Sequence, residues 1–163
     1  MALIRNAALL WSVPLLLALT GCPYQSEVPL DTPSVPVDSR LLGTWQDGSA
    51  PNSSVYRVEP SDPFHYRIHS ETESGSTEFE GFLSQVGERT YLNLRESSAA
   101  TYWLFWLEVA PEGTSLTLHP VTENITESFS LPDDLRSFVT QNQNLSFFFE
   151  KPTTYLHPEA PLP

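Results

Sequence analysis

Seven short runs in which apolar and polar residues alternate, each closed off by turn-forming residues, restrict this chain to an antiparallel β architecture. The runs are 41–46, 54–58, 65–69, 77–86, 90–95, 102–110 and 115–119. Alternation with period two puts every second side chain on one face of a strand. The separators, among them DGSAPN, EPSDP, ESGS and PEG, are rich in the Gly, Pro, Ser, Asn and acidic residues that turns favour. Strands this short and this closely spaced predict a mainly β domain. It is a single antiparallel meander, closed as an up-and-down β-barrel or folded as a sandwich.

The same alternation assigns faces. Tyr56, Val58, Tyr66, Ile68, Phe79, Leu83, Leu92, Leu94, Leu116 and Leu118 fall inward, with Gly81 between Phe79 and Leu83 leaving interior room. Arg57, Arg67, Glu78, Glu80, Asn93 and Thr117 then point outward. The run Tyr102-Trp103-Leu104-Phe105-Trp106-Leu107 is apolar on both faces. Placing Trp103, Phe105, Leu107 and Val109 inside leaves Tyr102, Leu104 and Trp106 in need of a cover.

One C-terminal α-helix packed on the outside is the expected cover. Ser130 stands as its cap, Pro132 comes early, and Asp133 and Asp134 sit in the first turn, where unpaired N–H groups favour negative charge. Leu131, Leu135, Phe138 and Val139 make a single apolar stripe, and the helix should end near Asn142 to Asn144. Residues 145–150 and 153–157 are expected to add a last short strand, and 159–163 to form a loose tail.

The N-terminus carries an address. A basic start at Arg5 is followed by an apolar stretch from Ala7 to Leu19, broken by Ser12 and Pro14. At about 13 residues it falls short of the roughly 20 that span a bilayer, so it reads as an export signal. Leu19-Thr20-Gly21-Cys22 resembles the lipobox of bacterial lipoproteins, and Cys22 is the only cysteine in the chain. The resemblance implies that residues 1–21 are a signal peptide, that Cys22 is the lipidated N-terminus, and that acyl chains attach the protein to a membrane of the bacterial cell envelope. In such lipoproteins an aspartate after the cysteine retains the protein in the inner membrane. Pro23 stands there, so the outer membrane is favoured where there are two. Residues 22–38 are then the lipidated cysteine that the resemblance implies and, with four prolines and no sustained apolar period, an extended Pro-rich tether ahead of one domain over 39–158.

Leu42-Gly43-Thr44-Trp45, opening the first strand, resembles the Gly-x-Trp signature of lipocalins. The resemblance implies an eight-stranded up-and-down barrel with Trp45 plugging its closed end, and a helix after the seventh strand, over roughly 39–158. Lipocalins usually set an arginine against that tryptophan near the end of the barrel; after Arg136 this chain has none.

Charge and motif content narrow the function. The formal net charge is −12, and loss of Arg5 with the leader makes the mature chain one charge more negative. Such a surface repels phosphate backbones, which excludes nucleic acid as a partner. It also leaves membrane contact to the lipid, away from any basic face. His65, His69, His119 and His157 lie at strand ends or loops; four residues along a strand separate His65 and His69 by about 13 Å, too far to chelate one metal. There is no Gly-x-Ser-x-Gly elbow, phosphate loop or calcium loop. No cofactor, metal or catalytic role is expected. Two functions remain. One is a membrane-anchored cup for a small apolar ligand, with Tyr56, Tyr66, Phe79, Trp103, Phe105 and Leu107 as lining. The other is a structural or interaction lipoprotein with a filled barrel, meeting an envelope protein through its outside.

Overall fold

A computed structural model of the chain describes residues 23–50, 54–72 and 75–158. The signal peptide expected over 1–21, the lipidation expected at Cys22 and the loose tail expected over 159–163 lie outside these residues. The described residues form nine strands: β1 (Gln25–Ser26), β2 (Gly43–Asp47), β3 (Val55–Pro60), β4 (His65–Thr72), β5 (Gly75–Val86), β6 (Arg89–Glu96), β7 (Tyr102–Val109), β8 (Ser115–Pro120) and β9 (Thr153–Leu156). A 3-10 turn, Ser39–Leu41, precedes β2, and the helix α1 (Pro132–Asn142) lies between β8 and β9. From β2 to β8 each strand pairs antiparallel with the next, and β9 closes the ring between β8 and β2. The result is a closed eight-stranded barrel, which leaves no open sheet edge among its members.

Local chemistry explains the hairpins and the register. Val86 pairs with Arg89 across a two-residue turn in which Gly87 takes φ 61°, a positive value that primed hairpin turns require and that glycine adopts without strain. Inside, Val58 faces Ile68, Ile68 faces Phe79, Leu83 faces Leu92, and Leu92 faces Phe105 across neighbouring strands. Every residue assigned inward by alternation, from Tyr56 to Leu118, belongs to this interior apolar cluster or lines the space it encloses, except Gly81, which has no side chain to add. Outside, Glu80 and Arg95 form an ion pair at 2.7 Å.

A second apolar core lies on the barrel's outer wall. Leu104 is fully buried there, together with Val86, Tyr91, Val121 and Phe148, and Tyr102 and Trp106 pack against them. The helix supplies Leu135 and Val139 to this core. It does not act alone, because Tyr24, Leu30, Phe148 and Phe149 complete the cover. The helix start also differs from expectation. Leu131, with no side-chain hydrogen bond, occupies the cap position in place of Ser130, while Pro132, Asp133 and Asp134 fill the first turn as expected. Residues 145–150 form turns and one isolated bridge, Val121 to Phe149, in place of a strand. Their Phe148 is drawn into the outer core, which a strand's alternation would not allow for Phe149 at the same time.

The Pro-rich segment is a correction to the expected tether. Residues 23–38 lie on the barrel as a strap. β1 pairs with the start of β7 on the edge that β8 vacates after Pro120. Leu30 is buried and its N–H donates to Asn93 Oδ1 at 2.8 Å. At the far end Val37 N–H donates to the Pro63 carbonyl at 2.9 Å, and Asp38 N–H donates to the Tyr66 hydroxyl at 2.6 Å. Because β7 and β4 start at opposite ends of an antiparallel barrel, the strap traverses its full height. Widely spaced anchors, each satisfied singly, replace the periodic pattern that a sequence reading looks for.

Candidate functional site

The barrel encloses a cavity of about 320 Å³, at the lower end of the roughly 300–1,000 Å³ typical of small-molecule sites. All six residues expected to line it do so: Tyr56 from β3, Tyr66 from β4, Phe79 from β5, and Trp103, Phe105 and Leu107 from β7. Tyr155 of β9, Leu118 of β8, Leu94 of β6 and Pro23 of the strap also line it. Among the described residues that line it, none carries a charge. Such a wall recognises apolar bulk by contact and desolvation, and would penalise an unpaired charge heavily.

The floor is built around Trp45. Its indole is 1 % exposed and donates to the Leu41 carbonyl at 2.9 Å, so the 3-10 turn at Ser39–Leu41 is held beneath it. The imidazole of His157 stacks on the indole with centroids 3.9 Å apart, and His157 Nδ1 lies 2.8 Å from the Thr44 carbonyl. A histidine thus covers the tryptophan in a chain that lacks the expected arginine. Gly43 takes φ 118° in the strand that presents Trp45, and a Cβ there would meet the His157 ring at 3.1 Å. Sequence reasoning missed His157 because nearly the whole length of the barrel's chain separates it from Trp45 and nothing local marks the pair.

Polarity inside the cavity comes from phenols. The Tyr66 hydroxyl is engaged by Asp38, and burial raises its pKa. Tyr155 stands edge-on to Tyr56 with centroids 5.5 Å apart; burial, then the neighbouring Tyr56 and Asp47, push its pKa well up. Both phenols therefore stay neutral donors across the physiological range. Room next to Gly81 is less than its missing side chain suggests, since the Leu92 and Leu94 methyls approach the place a Cβ would take to 3.1 and 3.4 Å.

At the other end Phe79 and Trp103 face each other with centroids 6.1 Å apart, and Pro23, which precedes the strand paired with Trp103, also lines the cavity. This is the end away from the Ser39–Leu41 turn. On the outer wall the histidines are accounted for by neighbours. His65 pairs with Asp62 at 2.7 Å, His69 with Glu78 at 3.5 Å, and His119 with Glu108 at 2.6 Å while stacking on Trp106. Among the described residues no three His, Cys, Asp or Glu side chains converge in a metal-sized group.

No model of a known family matches the chain, and no curated protein or solved structure matches it either.

Proposed function

We propose that this chain is a lipid-anchored protein of the bacterial cell envelope whose lipocalin-like barrel holds a small apolar ligand without performing chemistry on it. The observation that carries this reading is the cavity of about 320 Å³ walled by aromatic and aliphatic side chains with no charge among them. Small barrels either fill their interior with side chains or hold one ligand, and this one leaves space. The anchor rests on Leu19-Thr20-Gly21-Cys22 following an export signal, with the outer membrane favoured by Pro23 where two membranes exist. Gly43-Thr44-Trp45 at a sealed barrel end and a helix on the outer wall support the lipocalin-like assignment.

The competing reading, an interaction protein with a filled barrel that meets its partner through the barrel's outside, would be favoured by an exposed remnant of Tyr102, Leu104 and Trp106. Leu104 is 0 % exposed, and the other two, partly buried, pack against the outer core. The test is native mass spectrometry with organic extraction on the protein purified from its host envelope. A small apolar molecule at near-stoichiometric amount is the expected result. An empty barrel that captures one envelope protein would overturn it. Separately, Cys22→Ala should abolish incorporation of labelled fatty acid.

A further inference from the structure

The strap ties the attachment point to the cavity. Pro23 lines the cavity, and the very next groups are fixed to the barrel: Tyr24 N–H donates to the Val121 carbonyl at 3.0 Å, and Gln25 and Ser26 pair with Trp103 and Tyr102. Cys22 is joined to Pro23 by a single peptide bond, which places consecutive Cα atoms about 3.8 Å apart. From there the strap runs away along the outer wall to Asp38, bound to Tyr66 at the opposite end. No length of 23–38 remains to act as a spacer, so whatever the Cys22 thiol carries starts one residue from a group that lines the cavity.

Two hollows border Pro23. The outer one, about 290 Å³, has Glu123 and Glu127 on its wall. The inner one is the cavity, whose described lining residues carry no charge and include Phe79 and Trp103. A hydrocarbon chain gains from desolvation in the inner hollow, whereas in the outer one it would strip water from two carboxylates.

We infer that one acyl chain of the lipid carried by Cys22 folds into the barrel and is its resident ligand. This rests on the reading of Cys22 as lipidated and of the cavity as an apolar site. Covalent attachment makes entry intramolecular, at an effective concentration that a freely diffusing lipid has to compete against. The volume suits a single chain. Where Cys22 carries three chains, the two left outside hold the membrane, since two make a stable anchor and one is marginal.

The test uses host cells grown on palmitic acid bearing a diazirine along its chain, which enters both the lipoprotein and the phospholipids. After illumination of intact cells, the purified protein is digested and its photo-adducts mapped. The expected result is an intrachain link from the Cys22 lipid to peptides holding Phe79, Trp103 or Phe105, lost in the Cys22→Ala chain. Circular dichroism of the Cys22→Ala chain, expected to match the parent, checks that loss of the link is not loss of the barrel. Cavity peptides linked to free phospholipid in both chains would overturn the inference while leaving the apolar cup intact. Label on Cys22 that links only to bilayer lipid would overturn it too. Absence of any label on Cys22 would instead remove the lipoprotein reading on which it rests.

Discussion

The His157 imidazole lies on the Trp45 indole at an interplanar angle of 29°, joining the last strand's end to the first strand of the barrel. The contact seals the floor, since Trp45 is also the group that holds the Ser39–Leu41 turn through its indole N–H. Trp45→Ala should cost about 3–5 kcal/mol, as truncation of a buried tryptophan does. His157→Ala removes one stacked ring and one hydrogen bond, and should cost about 1–2 kcal/mol. Urea unfolding of both variants and of the double variant checks this. A double variant no worse than Trp45→Ala alone shows that the histidine acts through the tryptophan.

Asn93 is expected to hold the strap. It is fully buried; its Oδ1 accepts from Leu30 N–H at 2.8 Å and its Nδ2 donates to Ser84 Oγ at 2.9 Å. Asn93→Ala leaves the Leu30 amide without its partner, at a cost of about 1–3 kcal/mol. Hydrogen exchange should show the Leu30 amide losing protection while the amides of β5 and β6 keep theirs. Equal loss across the barrel would mean that Asn93 serves the sheet and not the strap.

Asn93 also marks where sequence reasoning ends. Alternation put it on the outer face, correctly, and equated outer with solvated; the strap over it breaks that equation. The strands were legible because inner and outer faces meet different surroundings, and Tyr56, Tyr66, Phe79, Trp103, Phe105 and Leu107 reach the cavity for the same reason. The both-face apolar run around Leu104 was legible as a surface needing cover, and the cover's helical part was found from its Leu135 and Val139 stripe. Tyr24, Leu30 and Phe148 were not found, since single anchors in irregular chain produce no period. Tyr155 was passed over for a related reason, as β9 has only four residues in which to alternate.

Gly81→Ala should destabilise the barrel by about 1 kcal/mol, the lower end of the cost of overpacking. The added methyl would stand 3.1 Å from Leu92 Cδ1 and 3.3 Å from the Asn93 carbonyl. Leu92 can turn aside into the cavity, while the carbonyl is fixed in the β5–β6 ladder. The same substitution should lower the barrel's affinity for an apolar probe, measured by fluorescence titration. Unchanged stability together with unchanged affinity would show that the wall at Gly81 yields outward.

Arg89 should be the fastening of the helix end. Its guanidinium sits 4.4 Å from the Trp106 ring centroid and 5.5 Å from that of Phe149, and donates to the Gln143 carbonyl at the helix C-terminus. That carbonyl end carries the negative pole of the helix dipole. Arg89→Ala should cost about 1–2 kcal/mol in urea unfolding, adding a cation–π contact to a charged hydrogen bond. Arg89→Lys should recover only part, because an ammonium lacks the planar fork that stacks and donates together. Full recovery would reduce the role of Arg89 to its charge.

Alkaline pH should unfold the protein through its buried phenols. Burial is the leading cause that raises the pKa of Tyr24, Tyr66 and Tyr155, and it pushes Tyr91 up to about 12. Tyr91 also donates to Gln143 Oε1 at 3.0 Å, a bond that its ionisation would remove. In the unfolded chain these phenols ionise near pH 10. Below about pH 10 neither state loses the protons, so the stabilisation is fully present. Between about pH 10 and the raised folded values the unfolded chain releases protons that the folded one retains, and stability falls with each step of pH. The urea midpoint should therefore hold steady up to about pH 9 and fall steeply above about pH 10. Tyr91→Phe should make that fall shallower, and the tyrosinate absorbance of the parent chain should rise late, together with loss of structure. A midpoint independent of pH across this window would mean that the four phenols ionise within the folded barrel as freely as outside it.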